Sequence, residues 1–503
     1  MPEPSSTSLP ARPGRPRVAA RALTWIDRPE GRTLRLLAFG VIVAVLGTFE
    51  LSRVHPAPWV IQSGRLNMLQ WTLSVLDGGG PILTMAQPGS DQLSAAGLSD
   101  DQGLYLIVPW LTHLLGGHDT LGTLRWLALG AFAIPIALYP WLIRQLSGST
   151  LAGLASPFLL LIGLWLLPLG DIYWVASWAI LALLPVVLLL DRRWSRFSLP
   201  VLLGLLVLAS VASAIRGQAG LPVLIAAALV VVRRPWARSA RAGAVVLCVL
   251  AYLSFSGFGM ALVRAERDHQ LDGRALAGGT STSHPFWHTA YVGLGYLPNK
   301  WDIRYQDPIG YRDALRIDPT VASTGPRYNK ILRKRYFKLV KSDPWFTFRD
   351  YGAKILVSLR PAVPVLIALA IVGPWLLLVD RGRSRWRRDA LIIGLAGLLG
   401  LLSPFLATPL SAYLLGWLAA VLLAGILAFS AVVAHWQDAL AYARSLRPAD
   451  VMRGPRRAVG AIAAAALLVL VVIAAVAPSV EDKATAWNAR PAPQVVPPPN
   501  ATP

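Results

Sequence analysis

The residues best equipped for chemistry are acids and cations at the ends of long apolar runs. Three carboxylates, Glu50 and the adjacent Asp100 and Asp101, could each take a proton from a hydroxyl. The aspartate pair also precedes a helical stretch starting near Gly103, where capping alone would favour the helix by roughly 0.3–1 kcal/mol. Glu50 ends an apolar run, where a carboxylate needs a partner such as Arg53, a route to the headgroups, or a function. Arg216, in "VASAIRGQAGLPV", lies between two apolar runs and must meet an anion, a set of carbonyls or water. A guanidinium there could grip a phosphate with two parallel hydrogen bonds. Asp171, in "LPLGDIYWVASW", falls at a tight turn and could cap the next helix or touch a ligand.

A second set is gathered in "HPFWHTAYVGLGYLPNKWDIRYQDP", His284 to Pro308. His284 and His288 are four apart and share a face if the segment is helical; with Asp302 or Asp307 they could hold a metal, although two histidines alone specify none. Phe286, Trp287, Tyr291, Tyr296, Trp301 and Tyr305 suit a lid at a membrane interface, with faces on which sugar rings stack. The histidines would then donate to hydroxyls or phosphate, Asn299 would accept, and the alternative is a loop that only packs.

These residues must be positioned by membrane helices. Of 503 residues 55% are hydrophobic and 15% charged, and apolar runs of about twenty residues repeat along the chain. That composition excludes a soluble protein. The net charge of +22 does not indicate nucleic acid, because most arginines cluster in short connections between apolar runs, where they orient helices. Spans are expected near 33–52, 121–144, 150–169, 172–190, 198–214, 220–232, 243–262, 353–379, 389–406, 409–430 and 458–477, about eleven in all. The connections "DRRWSRF", "RRPWARSARA", "RGRSRWRR" and "ARSLRPADVMRGPRR" put one side of the membrane, and the N-terminus, inside. Residues 1–32 read as a disordered cytoplasmic tail, 33–262 as a seven-helix core with outer loop 53–120, and 263–352 as a large outer loop. Residues 353–477 carry the last spans, and 478–503 form a Pro-rich outer tail. Within the outer loops, "GRLNMLQWTLSVLDGGG" and "DDQGLYLIVPWLTHLLGGHD" read as helices along the membrane surface. Arg327 to Lys341 reads as a basic amphipathic helix that stops at Asp343-Pro344. The single cysteine, Cys248, lies in an apolar run and allows no intrachain disulfide.

This layout resembles the GT-C superfamily of integral-membrane glycosyltransferases. A first outer loop with acids and surface helices follows span one, a second large loop stands between spans seven and eight, and "RYFKLVKSDPWFTFRDYGAKILVSL" looks like the stretch that often precedes span eight there. The resemblance implies an all-α polytopic enzyme of a bacterial cytoplasmic membrane. It implies a polyprenyl-phosphate-linked sugar as donor and an envelope glycan, lipid or protein as acceptor, with inversion at the anomeric carbon on the outer side. Asp100, Asp101 or Glu50 would be the base, with Arg216 and His288 at the phosphate. Whether a divalent cation takes part stays open. Two other classes fit the same sequence: a lipid or polysaccharide transporter or flippase, and a non-catalytic envelope-assembly partner.

Overall fold

The computed structural model describes residues 25–54, 63–97, 101–166, 172–276, 286–321, 325–379, 384–402, 407–436 and 455–491. Asp100, Asp171 and His284 lie outside the described residues.

The chain is all-α apart from one two-residue antiparallel hairpin, β1 (Thr84–Met85) with β2 (Ser94–Ala95). Helix α1 (Arg32–Val54) enters the bundle, and α2 (Ser63–Asp77) and α3 (Gln102–Leu114) lie together in the first outer segment. There follow α4 (Thr120–Ser147), α5 (Thr150–Leu166), a 3-10 turn at Ile172–Ala176, a π segment at Ala179–Leu183 and α6 (Leu184–Arg192). Helices α7 (Ser198–Ile215), α8 (Leu221–Val232), α9 (Arg238–Leu253) and α10 (Met260–Leu271) complete the first half. A separate unit, called the outer unit after the side on which the sequence expects it, is built from α11 (Phe286–Gly293), α12 (Asp307–Leu315) and α13 (Pro326–Ser342). The last part comprises α14 (Pro344–Leu359), α15 (Val363–Val379), α16 (Ser384–Gly400), α17 (Ser411–Ala434) and α18 (Pro455–Asn488).

Helical structure lies in each expected span among the described residues. Among the described residues, seven helices are long and apolar enough to cross a membrane, and α5 and α8 are shorter apolar helices. The stretch expected at 172–190 changes from 3-10 to π to α geometry, and Pro185, which has no N–H to give the turn before it, stands at the start of the α segment. Buried Leu, Ile, Val and Ala from α4, α6, α7, α8, α16 and α17 form one continuous core. Many outward positions, such as Val45, Ile134, Leu208, Leu262 and Val469, are exposed and apolar, as a lipid-facing surface requires.

At the arginine-rich end, Asp191 pairs with Arg234 and Arg388, and Arg192 pairs with Asp389, tying α6, α8 and α16 together. At the other end the outer unit has a separate core around Tyr291, Ile303, Ile309, Tyr328 and Leu332. The basic helix α13 buries Tyr328, Leu332 and Leu339 and ends where the Asp343 carboxylate caps α14 by accepting from the Phe346 amide at 3.0 Å.

The last helix runs past the expected end of its span near 477, and residues 492–503 of the expected Pro-rich tail lie outside the described residues. Helix α18 continues through Pro478 to Asn488, held by buried Ala477, Ala484 and Trp487. Its end is clasped by the outer unit: Arg304 donates to the carbonyls of Arg490 and Pro491 at 3.0 and 2.7 Å, and Trp487 Nε1 to the Ile303 carbonyl at 3.1 Å. Packing partners distant in sequence thus extend a helix past the point where its apolar run stops.

Candidate functional site

Two glycines bring the acid of α3 to the arginine of α7. Gly97 has φ +72°, a left-handed conformation, and a Cβ there would stand 2.4 Å from the Tyr105 ring. At Gly103 a Cβ would stand 2.4 Å from the Ala214 backbone, so α3 lies directly on the last turn of α7. Arg216 follows that turn in extended conformation, a cation at a helix C-terminus where the dipole favours it.

Asp101 is fully buried, and its side chain makes no capping bond to α3. Its Oδ2 instead accepts from the Arg65 guanidinium of α2 and from the Tyr173 hydroxyl. Arg65 also donates to the Tyr173 hydroxyl oxygen and lies 5.4 Å from that ring centroid. Arg216, 5% exposed, is held between the rings of Tyr173 and Tyr413 at 4.6 and 4.5 Å. Tyr173 therefore connects both arginines to one carboxylate. Beyond it, the hydroxyls of Tyr413 and Tyr305 meet at 3.4 Å, which links the site to the outer unit. The Asp77 carboxylate and the His113 ring, 2.6 Å apart, brace α2 and α3 away from the cluster.

Among the described residues the cluster is cationic. Two guanidiniums face one carboxylate, and Arg264 reaches the neighbouring Gln102 at 3.1 Å. Burial alone would pull Arg65 down, but Tyr173 and Asp101 beside it hold it above its ordinary value, so it keeps its charge. Burial, reinforced by Asp101, pushes the Tyr105 hydroxyl up and keeps it protonated. A cavity of about 30 Å³ opens beside Arg216, lined also by Gln218, Gly400, Tyr413 and Gly416. It has room for a water or two, and for a larger group only if Tyr413 or the outer unit moves. Arg65 is one-third exposed, whereas the Asp101 carboxylate it holds is buried.

The other expected residues are placed differently. His288 is buried within the outer unit, Nδ1 2.5 Å from the Tyr328 hydroxyl and Nε2 3.1 Å from Asp307 Oδ1. Tyr291 donates to Asp313 at 2.6 Å. Asn299 shapes a turn, donating to the carbonyls of Leu297 and Ile303 at 3.0 and 2.7 Å. These three side chains organise the outer unit. Glu50 is exposed on α1. Among the described residues no three His, Cys, Asp or Glu side chains converge as metal ligands.

Sequence reasoning missed Arg65, Tyr173 and Tyr413. Arg65 stands on a surface helix like any solvated cation, and Tyr173 and Tyr413 come from segments far apart in the chain. The available signal was the glycine on each side of Asp101, Gly97 and Gly103, which marks a backbone approached closely by others.

Fold and hydropathy define an all-α, multi-pass membrane protein. No protein-family model, no curated protein and no solved structure matches the chain.

Proposed function

We propose that the chain is a membrane glycosyltransferase that moves a sugar from a polyprenyl-phosphate donor to an envelope acceptor on the outer side of a bacterial cytoplasmic membrane. In this reading the chain crosses about eleven times, with the N-terminus and the arginine-rich connections inside. The observation that carries it is the Tyr173-centred cluster, which supplies a buried carboxylate and two cations at the end of the bundle opposite the arginine-rich connections.

Arg216 and Arg65 hold the donor phosphate. Arg65 leaves Asp101 to engage it, and the freed carboxylate takes the acceptor hydroxyl proton. The acceptor oxygen bonds to the anomeric carbon while the carbon–phosphate-oxygen bond breaks. The electron pair stays on the phosphate, whose growing charge the arginines balance, and the configuration inverts. The outer unit covers this site through Tyr305.

A transport reading would draw on the buried Asp350–Lys354 pair, 3.4 Å apart. The Leu297 amide donates to Asp350 at 2.9 Å, which ties that pair to the outer unit and away from the membrane midplane. The test is to supply the purified chain in lipid with a panel of polyprenyl-phosphate sugars and envelope acceptors and to assay released polyprenyl phosphate. Release with at least one pair supports the reading. Movement of the intact donor across the bilayer without release would replace it with transport.

A further inference from the structure

Between α15, α16 and α17 lies a second cavity, of about 340 Å³. Its walls are apolar, with Leu366, Ile393, Trp417 and Leu427 among them, and among the described residues Asp389 is the one ionisable residue in its lining. A Cβ on Gly373 or Gly394 would meet nothing within 4 Å, so both glycines face open space. From Asp389 to Gly397 the pocket follows α16 for about 12 Å, an elongated shape that suits a hydrocarbon chain.

Asp389 is 1% exposed. Its Oδ2 accepts from Arg192, while its Oδ1 has no hydrogen-bond partner among the described residues. A buried, unpartnered carboxylate oxygen at the wall of an apolar pocket calls for a donor, which an occupant can bring once the side chain turns toward it, and a cationic donor satisfies it best. Arg388, the preceding residue in the chain, is 42% exposed and gives one N–H to Asp191 at 3.3 Å, so its guanidinium has further donors for an anion. An ammonium next to a phosphate, on an aliphatic chain, matches this order of groups.

The two cavities are separate. Gly400 lies against Gly416 and Trp417 between them, where a Cβ on Gly400 would stand 2.8 Å from the Trp417 backbone nitrogen. A chain in this pocket therefore has its head at Asp389, not at Arg216.

We propose that this pocket takes one acyl chain of a phosphoethanolamine-headed lipid, with the ammonium on Asp389 Oδ1 and the phosphate on Arg388. Phosphatidylcholine is the control, because its quaternary ammonium has no N–H to give. The full chain is purified into nanodiscs of mixed phosphatidylethanolamine, phosphatidylcholine and phosphatidylglycerol, and the retained lipid is identified by native mass spectrometry. The expected result is enrichment of phosphatidylethanolamine over phosphatidylcholine by about tenfold, the effect of one charge-assisted hydrogen bond. Asp389→Asn should remove the enrichment. Gly394→Leu, which fills open space, should lower retained lipid of every headgroup while the melting temperature holds, and it keeps the test valid if Asp389→Asn does not fold. Retention that follows the bulk composition, a preference for phosphatidylglycerol, detergent as the sole occupant, or variants that behave as the parent chain would each overturn the assignment.

Discussion

The outer unit and the Tyr173 cluster use similar side chains in opposite ways. In the outer unit polar groups close on one another: His288 lies between Tyr328 and Asp307, and Asp313 takes Tyr291, Arg312 and Arg335. In the cluster, two arginines share one carboxylate, one of them is one-third exposed, and the other opens on a cavity. A self-satisfied network stabilises its unit, whereas a cluster that holds two guanidiniums and one carboxylate among the described residues, beside a cavity, suits an anion.

Four perturbations would break or sharpen this contrast. The largest effect is expected for Asp101→Asn, which keeps the shape but removes the base: turnover, assayed as polyprenyl phosphate release, should fall by about a hundredfold or more. Arg65→Ala removes a cation from the buried Asp101 carboxylate, so it should cost about 3–5 kcal/mol of stability, read by thermal or denaturant unfolding. His288→Ala should cost about 1–3 kcal/mol, visible as earlier unfolding of the outer unit, with turnover within a few-fold of the parent. A hundredfold loss of turnover at full stability would instead move His288 into the reaction.

The smallest effect concerns pH. The Phe346 amide, and then Lys300, hold the Asp343 carboxyl below its ordinary value of 3.8. Its contribution to the start of α14 is therefore complete above the unfolded value and lost as pH falls through the lower folded value. Melting curves followed by Trp301, packed on Phe346 with ring centroids 5.4 Å apart, should lose stability below about pH 4, and Asp343→Asn should flatten that dependence.

Much of the scaffold was legible because hydropathy and helical period are local properties. The surface helices at Ser63–Asp77 and Gln102–Leu114 and the basic helix ending before Asp343-Pro344 all follow from spacing within a few turns. The cluster was only partly legible. Asp101 and Arg216 are conspicuous as charges beside apolar runs, but Asp101 turns from its own helix toward Arg65 and Tyr173, which packing brings from distant segments. Asp307 was legible as a neighbour of His288 because both stand in one segment, whereas Tyr328 on α13 reaches His288 from forty residues further on, and His284 lies outside the described residues. The end of α18 was hidden for the same reason, since Arg304 and Trp487 meet only after the outer unit has folded onto it.

The measurement that bears most directly on the account is the affinity of the purified chain for polyprenyl phosphate, with uncharged polyprenol as reference, before and after Arg216→Ala. The account predicts a clear preference for the phosphate in the parent chain and a loss of about ten- to a hundredfold in the variant, the worth of one charge-assisted contact to an anion. Equal affinity for phosphate and alcohol, or a variant that binds the phosphate as tightly as the parent, would contradict it.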